Sequence, residues 1–468
     1  MALPALFLVA IAAYLCSVLF PGALLDWLVS SVSVVIVAAV FRMVKPFIRM
    51  LGMIMLGIGL CLLLADHAGW QQYVLSFGRM LNVLSLFALI PLIAIPIELG
   101  QYALRVQVII QRKVKSSGLL YSITSGLAYI SSSFMNLASL PMMYQTMRPS
   151  IDLYPIGQKE RFMSRSITHG FAMPTVWTPV TPIVGIVVEM TGVRWLHILP
   201  ILIPFSIAGL AADCLIAHWI ASRRRKRLGA SAVEEASAAR ESGDYAEALS
   251  AKAAQASHPL QIVIAILAFN GLISVLEATS HAGFLLLVTL TVIPYAFVWA
   301  ALIGKGRAFL KKSREKLPVH LLKMKDQFFI FLSAGFMISA IQTTGASGQI
   351  NAALGAVMDL VGPQLFLLLI PLMPLGVAFL GLQPAVALAL TAESMNPQAL
   401  GVPPELTAVA MLTGAAAAFM MGPYNATASM MAGLIDKSSH KVSHWNAPFT
   451  AAYLGMALLL LLVLKFTG

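Results

Sequence analysis

Apolar residues run along this chain in blocks separated by short polar loops. The blocks are about 20 residues long, the length of helix that crosses a hydrocarbon core about 30 Å thick. Eleven of them predict membrane-spanning helices: 2–20, 23–41, 50–66, 75–98, 162–190, 196–221, 258–278, 282–304, 328–345, 404–432 and 447–466. Two further apolar stretches, 118–147 and 361–395, are interrupted near the middle by Gly, Ser, Asn or Pro and then resume. Each half is short for a span, so each stretch predicts a hairpin that enters and leaves on one side. Irregular backbone at membrane depth is tolerated only where protein or a water-filled cavity satisfies it. The expected fold class is an all-α polytopic membrane protein with about 11 transmembrane helices and two re-entrant hairpins.

Charge sets the threading. Basic residues gather at Arg42, Lys45 and Arg49, at Arg112, Lys113 and Lys115, across 223–227 and across 305–325. Loops rich in Lys and Arg stay in the cytoplasm, which places 42–49, 101–117, 148–161, 222–257, 305–327 and 433–446 there. The N-terminus is then cytoplasmic, the C-terminus outside, and the expected location is the cell inner membrane. Composition agrees: 59% of the 468 residues are hydrophobic and 11% charged, with a mean hydropathy of +0.85. A soluble domain carries about 25% charged residues. The net charge of +12 calls for no nucleic acid, because orientation in the lipid bilayer accounts for its placement. Segment 2–20 lacks the basic leader of a cleaved signal and reads as the first span. Cys16, Cys61 and Cys214 sit in apolar runs at no metal-like spacing.

With this threading the first hairpin opens from the cytoplasm and the second from outside, so the two halves form an inverted repeat. Gly100 and Gly345 each close a span before a hairpin and lie 245 residues apart (345 minus 100). Pro179 and Pro423 each interrupt the span after a hairpin and lie 244 apart (423 minus 179). Such repeats build transporters whose substrate sites lie near the midplane. The expected organisation is 1–74 as N-terminal scaffold, 75–221 as repeat 1, 222–257 as a cytoplasmic linker, 258–327 as scaffold helices and arm, and 328–468 as the rest of repeat 2. The linker, with Glu234, Glu235, Glu241, Asp244 and Glu247, reads as a connecting helix that could dock a partner. Residues 101–117 and 305–327 mix Arg and Lys with Leu, Val, Ile and Phe; such helices lie in the headgroup plane.

Four interruptions are placed to carry chemistry. The first hairpin turns near Ser131, Ser132, Ser133 and Asn136, and the next span is broken by Pro174, Pro179 and Pro182 around Thr178 and Thr181. The second hairpin turns near Gly381, Gln383 and Pro384, and the span after it breaks at Gly422 and Pro423, beside Asn425, Thr427 and Ser429. Half-helix N-termini favour an anion, whereas unwound carbonyls and hydroxyls suit Na+. The alternative for each residue alone is a hydroxyl satisfied by its own helix, or a packing kink.

With these interruptions the sequence resembles the ion transporter superfamily, in particular its divalent anion:sodium symporter branch. The run Phe328-Phe329-Ile330-Phe331-Leu332-Ser333-Ala334-Gly335-Phe336, closed by Thr344-Gly345, is similar to the start of that family's second repeat. More distantly, the chain resembles the large membrane subunit of binding-protein-dependent TRAP-type transporters. The resemblance implies a homodimer of elevator-type secondary transporters for a small organic anion such as a carboxylate. Na+ or H+ would be the coupling ion, and no other cofactor is expected. By position it assigns substrate or ion binding to Ser132, Ser133, Asn136, Gly381 and Gln383 at the tips, and to Thr178, Thr181, Asn425 and Thr427 at the breaks. The branch's Ser-Asn-Thr is absent from both tips.

For a proton-coupled mechanism, Glu98, Asp213 and Glu393 are the carboxylates at membrane depth. His169 and Arg165 open the first broken helix and read as interfacial anchors. An intramembrane enzyme is the rival class, because Gly345-Ala346-Ser347-Gly348 resembles the serine motif of rhomboid-like proteases. Its base is missing from the later spans, since His440 and His444 fall in an expected loop. Their spacing matches a zinc helix but lacks its glutamate. The expectation is therefore no enzyme.

Overall fold

The computed structural model describes residues 2–102, 105, 116–152, 154, 156–228, 257–258, 260–382, 384–394 and 402–467, with no strand among them. Among the described residues, eight helices are long and apolar enough to cross a bilayer unaided, including Ala23–Val40, Pro46–Ala65, Leu260–Thr279 and Phe284–Leu302. The other three expected spans take different forms. Ala2–Leu19 is slightly short. Lys325–Thr343 joins the basic helix Gly306–Lys323 at a 59° bend. The segment expected at 162–190 is a broken helix, Lys159–Ala172 and Pro182–Thr191, with a 3-10 turn and irregular backbone between them.

Two expectations change. The final helix, Ser439–Thr467, begins eight residues before the expected 447, and the expected loop 433–446 shrinks to Asp436, Lys437 and Ser438. A helix that starts beyond the hydrocarbon can carry polar first turns, so His440 and His444 are helical. The linker residues 229–256 and most of the arm at 101–117 lie outside the described residues. In the second half, helix Ala346–Val361 occupies the place between span and hairpin that 101–117 takes in the first. The basic helix Gly306–Lys323 precedes its span, as the order of 305–327 and 328–345 requires.

The element order recurs at a fixed interval. Elements starting at Leu81, Ser117, Lys159, Pro182 and Trp195 recur at Lys325, Pro363, Pro404, Ala426 and Ser439. The starting numbers differ by 244, 246, 245, 244 and 244 in that order.

Small residues set the closest contacts, as expected where lipid offers no hydrophobic drive between helices. On Pro46–Ala65, Gly52 and Gly59 are notches for Phe329 and Phe336, seven residues apart on each helix; a Cβ on Gly52 would meet the Phe329 ring at 2.3 Å. Phe7 stacks on Phe328 with ring centroids 4.0 Å apart. The phenylalanine-rich run thus packs the N-terminal scaffold. Each broken helix, in turn, meets the first arm of its own hairpin backbone to backbone. A Cβ on Gly170 would lie 2.2 Å from the Ser125 carbonyl oxygen, and one on Gly414 would lie 2.3 Å from that of Pro371.

Candidate functional site

The first hairpin climbs as Ser117–Met135, turns at Asn136 and returns as Ser139–Asp152. Its first arm has 19 residues, about 28 Å of helix, so it is longer than the half-span expected. Across the arms Ser131 Oγ lies 3.7 Å from Met143 Sδ. Asn136 has φ +46°, a left-handed value that Asn adopts more readily than other non-glycine residues. The second hairpin turns at Gly381, φ +94°, 245 residues on from Asn136 (381 minus 136). The Gly381 turn packs against the Phe47 ring, 2.4 Å from where a Cβ would stand. Gln383 lies outside the described residues.

The serines are satisfied by their own helix. Ser132 and Ser133 donate to the Tyr129 carbonyl at 3.1 and 2.9 Å. Thr178 instead ties the break to the tip, donating to the Ser133 carbonyl at 2.7 Å. Around it, Trp177 Nε1 donates to the Tyr129 hydroxyl at 3.0 Å, and Trp195 Nε1 donates to the Trp177 carbonyl at 2.9 Å. Substituting Thr178→Val keeps the shape and removes one buried donor. It should cost about 1–3 kcal/mol, read as a lower thermal midpoint of the purified protein; an unchanged midpoint refutes the tie.

The two breaks are finished differently. Asn425 caps Ala426–Ile435 by accepting from the Ala428 N–H at 2.7 Å, and its Nδ2 donates to the carbonyls of Ala418 and Phe419 at 2.5 and 3.1 Å. Its side chain therefore holds the break together. Thr181 occupies the matching cap position of Pro182–Thr191 (425 minus 181 is 244) without any side-chain cap bond. The hydroxyls of Thr181 and Thr427 are buried with no hydrogen-bond partner.

Hairpin tip, breaks and second hairpin meet at one cavity of about 100 Å³. Asn136 and Leu137 line it from the first tip, Thr181, Pro182 and Ile183 from the first break, Pro384 and Ala385 from the second hairpin, and Phe419 and Ala426 from the second break. The helices from Pro182, Pro384 and Ala426 thus start on it, and the turn into the return arm reaches it through Asn136 and Leu137. Of the described lining residues only His320 can carry charge. Helix N-terminal ends carry partial positive charge, and three of them meet at a wall with no carboxylate among its described residues. Of the nine residues expected there, Asn136 and Thr181 line the cavity and Thr427 adjoins it. Ser132, Ser133, Thr178 and Asn425 brace the elements around it, and Gly381 sits against the scaffold.

The remaining wall comes from residues the sequence did not single out: Phe87, His320, Met324 and Gln327. Gln327 Oε1 is buried without a partner. In sequence it stands where a basic arm meets an apolar span, and looks like any polar residue at a helix end. Glu98, at the end of its span, pairs with Lys312 at 3.5 Å and Lys316 at 2.6 Å on the basic helix. This pairing ties the end of that span to the basic helix. Gly345 has φ +67°, so the glycine before Ser347 marks a helix boundary.

No family model matches the chain, and no curated protein matches it in sequence. Among solved structures, it is similar to the crystal structure of the Alcanivorax borkumensis YdaH transporter, which is described as having an unusual topology. The TM-score is 0.60 at 12% sequence identity, over 89% of this chain and 98% of that one. This chain is an all-α, multi-pass membrane protein with the fold of a known transporter.

Proposed function

We propose that the chain is a secondary active transporter that carries a small organic anion across the inner membrane by alternating access. The observation that supports this best is the meeting of three helix starts at a cavity with no carboxylate among its described lining residues, beside buried, unpartnered hydroxyls. A helix N-terminus offers unbonded N–H groups and partial positive charge, so an anion can cap it. The first break is the better end for this, since Asn425 already caps the second. The likeness to YdaH agrees with a transport role. The elevator movement, the homodimer, the cytoplasmic N-terminus and a driving gradient of Na+ or H+ come from the family resemblance and the charge pattern, and belong to the same proposal.

The test is uptake of labelled organic anions, carboxylates first, into proteoliposomes with and without Na+ and pH gradients. Transport of none of them under any gradient would sink the anion reading. Thr181→Val and Thr427→Val sharpen the test. Removing an unpartnered buried hydroxyl costs no hydrogen bond, so their thermal midpoints should equal or exceed wild type. Losing a hydrogen bond to a charged ligand costs about 1.5–3 kcal/mol, so Thr181→Val should raise the half-saturating anion concentration about tenfold or more. Equal half-saturation in both variants and wild type would remove these threonines from the site.

A further inference from the structure

Away from the cavity, the chain buries a titratable cluster. His169 lies on the first half of the first broken helix and Asp213 in the span Trp195–Arg223; they are 0% and 1% exposed, with Nδ1 2.7 Å from Oδ1. Tyr121, on the first hairpin arm, donates to Asp213 Oδ1 at 3.1 Å and lies 3.3 Å from His169 Nδ1. Ser125 donates to Asp213 Oδ2 at 3.4 Å. Phe449 of the last helix stacks on the imidazole, centroids 4.5 Å apart. His169 Nε2 is buried with no hydrogen-bond partner. Expected as an interfacial anchor, His169 is instead a core residue.

A nitrogen and a carboxylate oxygen this close hold a proton between them, so Nδ1–H donates to Asp213. With a neutral imidazole the pair carries one negative charge, which is costly inside a membrane protein. Nε2 then presents a bare lone pair. Other ionisable groups are few around it. Arg165 is one turn earlier on the same helix, and Cys214 and His218 follow Asp213 on the span, His218 bonded to Ser122 and the Cys214 carbonyl. Tyr453 is one turn beyond Phe449 and packs on Phe205. On the remaining neighbours, Tyr144, Arg148 and Asp152 belong to the return arm, where the last two are exposed and pair at 3.8 Å, and Glu405 opens the helix Pro404–Met421. A vestibule of about 530 Å³ reaches Tyr121, with Gln158, Arg161 and Arg165 on its wall. It lies beside loop 148–161, on the side the charge pattern assigns to the cytoplasm.

We propose that the His169–Asp213 pair, with Tyr121 on its wet side, binds a coupling proton taken up by way of this vestibule. The proposal rests on the transporter reading and names the coupling ion. One proton adds to the pair, no bond between heavy atoms breaks, and the pair goes from one negative charge to zero. Hairpin, broken helix and span all contribute to the pair, and the first two also wall the cavity. Occupancy by the proton is thereby linked to the elements that hold the substrate.

Infrared difference spectra of the full chain in lipid nanodiscs test this across the histidine range, about pH 5 to 8. Imidazole and carboxylate bands should change at one shared midpoint and vanish in His169→Gln. In Asp213→Asn the carboxylate band should vanish, because the group that shares the proton with the imidazole is gone. Tyr121→Phe keeps both partners and should keep both bands. Absence of a His169 band in wild type overturns the proposal without any variant, and so does a carboxylate band that persists unchanged in Asp213→Asn. In proteoliposomes, a pH gradient should drive wild type to accumulate a labelled carboxylate, while His169→Gln stops at equilibrium. Accumulation by the variant equal to wild type, or wild-type uptake indifferent to the pH gradient, also overturns it. If wild type moves no anion at all, the anion reading falls and the infrared titration still decides the proton site.

Discussion

Alanine at Gly170 or Gly414 should destabilise the protein by about 3 kcal/mol, the upper end of the cost of overpacking a filled interior. The obstacle at each position is a backbone carbonyl oxygen, 2.2 or 2.3 Å from the new Cβ. No side chain can swing aside, so a whole arm must shift. Alanine's better helix propensity returns only about 1 kcal/mol. Gly126, on the same arm as Ser125, has nothing within 4 Å of its Cβ position, so Gly126→Ala should be neutral or stabilising. Thermal unfolding of the three purified variants checks this. If Gly170→Ala and Gly414→Ala melt like Gly126→Ala, the arms are not in backbone contact.

Loss of Asn425 should rank next. Asn425→Ala removes a helix cap worth about 1–2 kcal/mol, and it leaves the Phe419 carbonyl without its side-chain donor, at about 1–3 kcal/mol for a buried group. The Ala418 carbonyl keeps the Gly422 N–H at 2.8 Å, so the total should be about 3 kcal/mol. Asn425→Asp separates the two roles. A carboxylate still accepts from the Ala428 N–H, but it faces two carbonyl oxygens with no proton to give. It should be worse than alanine near neutral pH, read as a lower thermal midpoint or less monodisperse protein. An aspartate variant as stable as wild type would show that the donor side of Asn425 is idle.

Much of this architecture is written in local chemistry. Lipid forces apolar runs into helices, and prolines at 174, 179 and 182 leave the chain no way to continue one. The spans, both hairpins, both breaks and the repeat interval follow from that. What the serines do was less legible, because the helix runs on through Ser132 and Ser133 and turns only at Asn136. The hydroxyls then fold back onto Tyr129. Nothing local separates Thr181 from Thr178 either; one is left free and the other bonded by the distant Ser133 carbonyl. Gly170 against Ser125, Gln327 at the cavity and His169 against Asp213 are all meetings between separate helices. Such pairings leave no periodic trace in sequence.

The constant interval between matching elements also bears on how such a chain changes over time. Five pairs of starts hold to within two residues, 244 to 246, although most residues at matching positions differ. Between the two halves, the lengths agree where the residues do not. Adding one residue to a helix advances everything beyond it by 1.5 Å and turns it by about 100°, which moves polar faces into lipid. The thickness of the bilayer acts as a ruler for both halves and constrains their lengths more tightly than their residues.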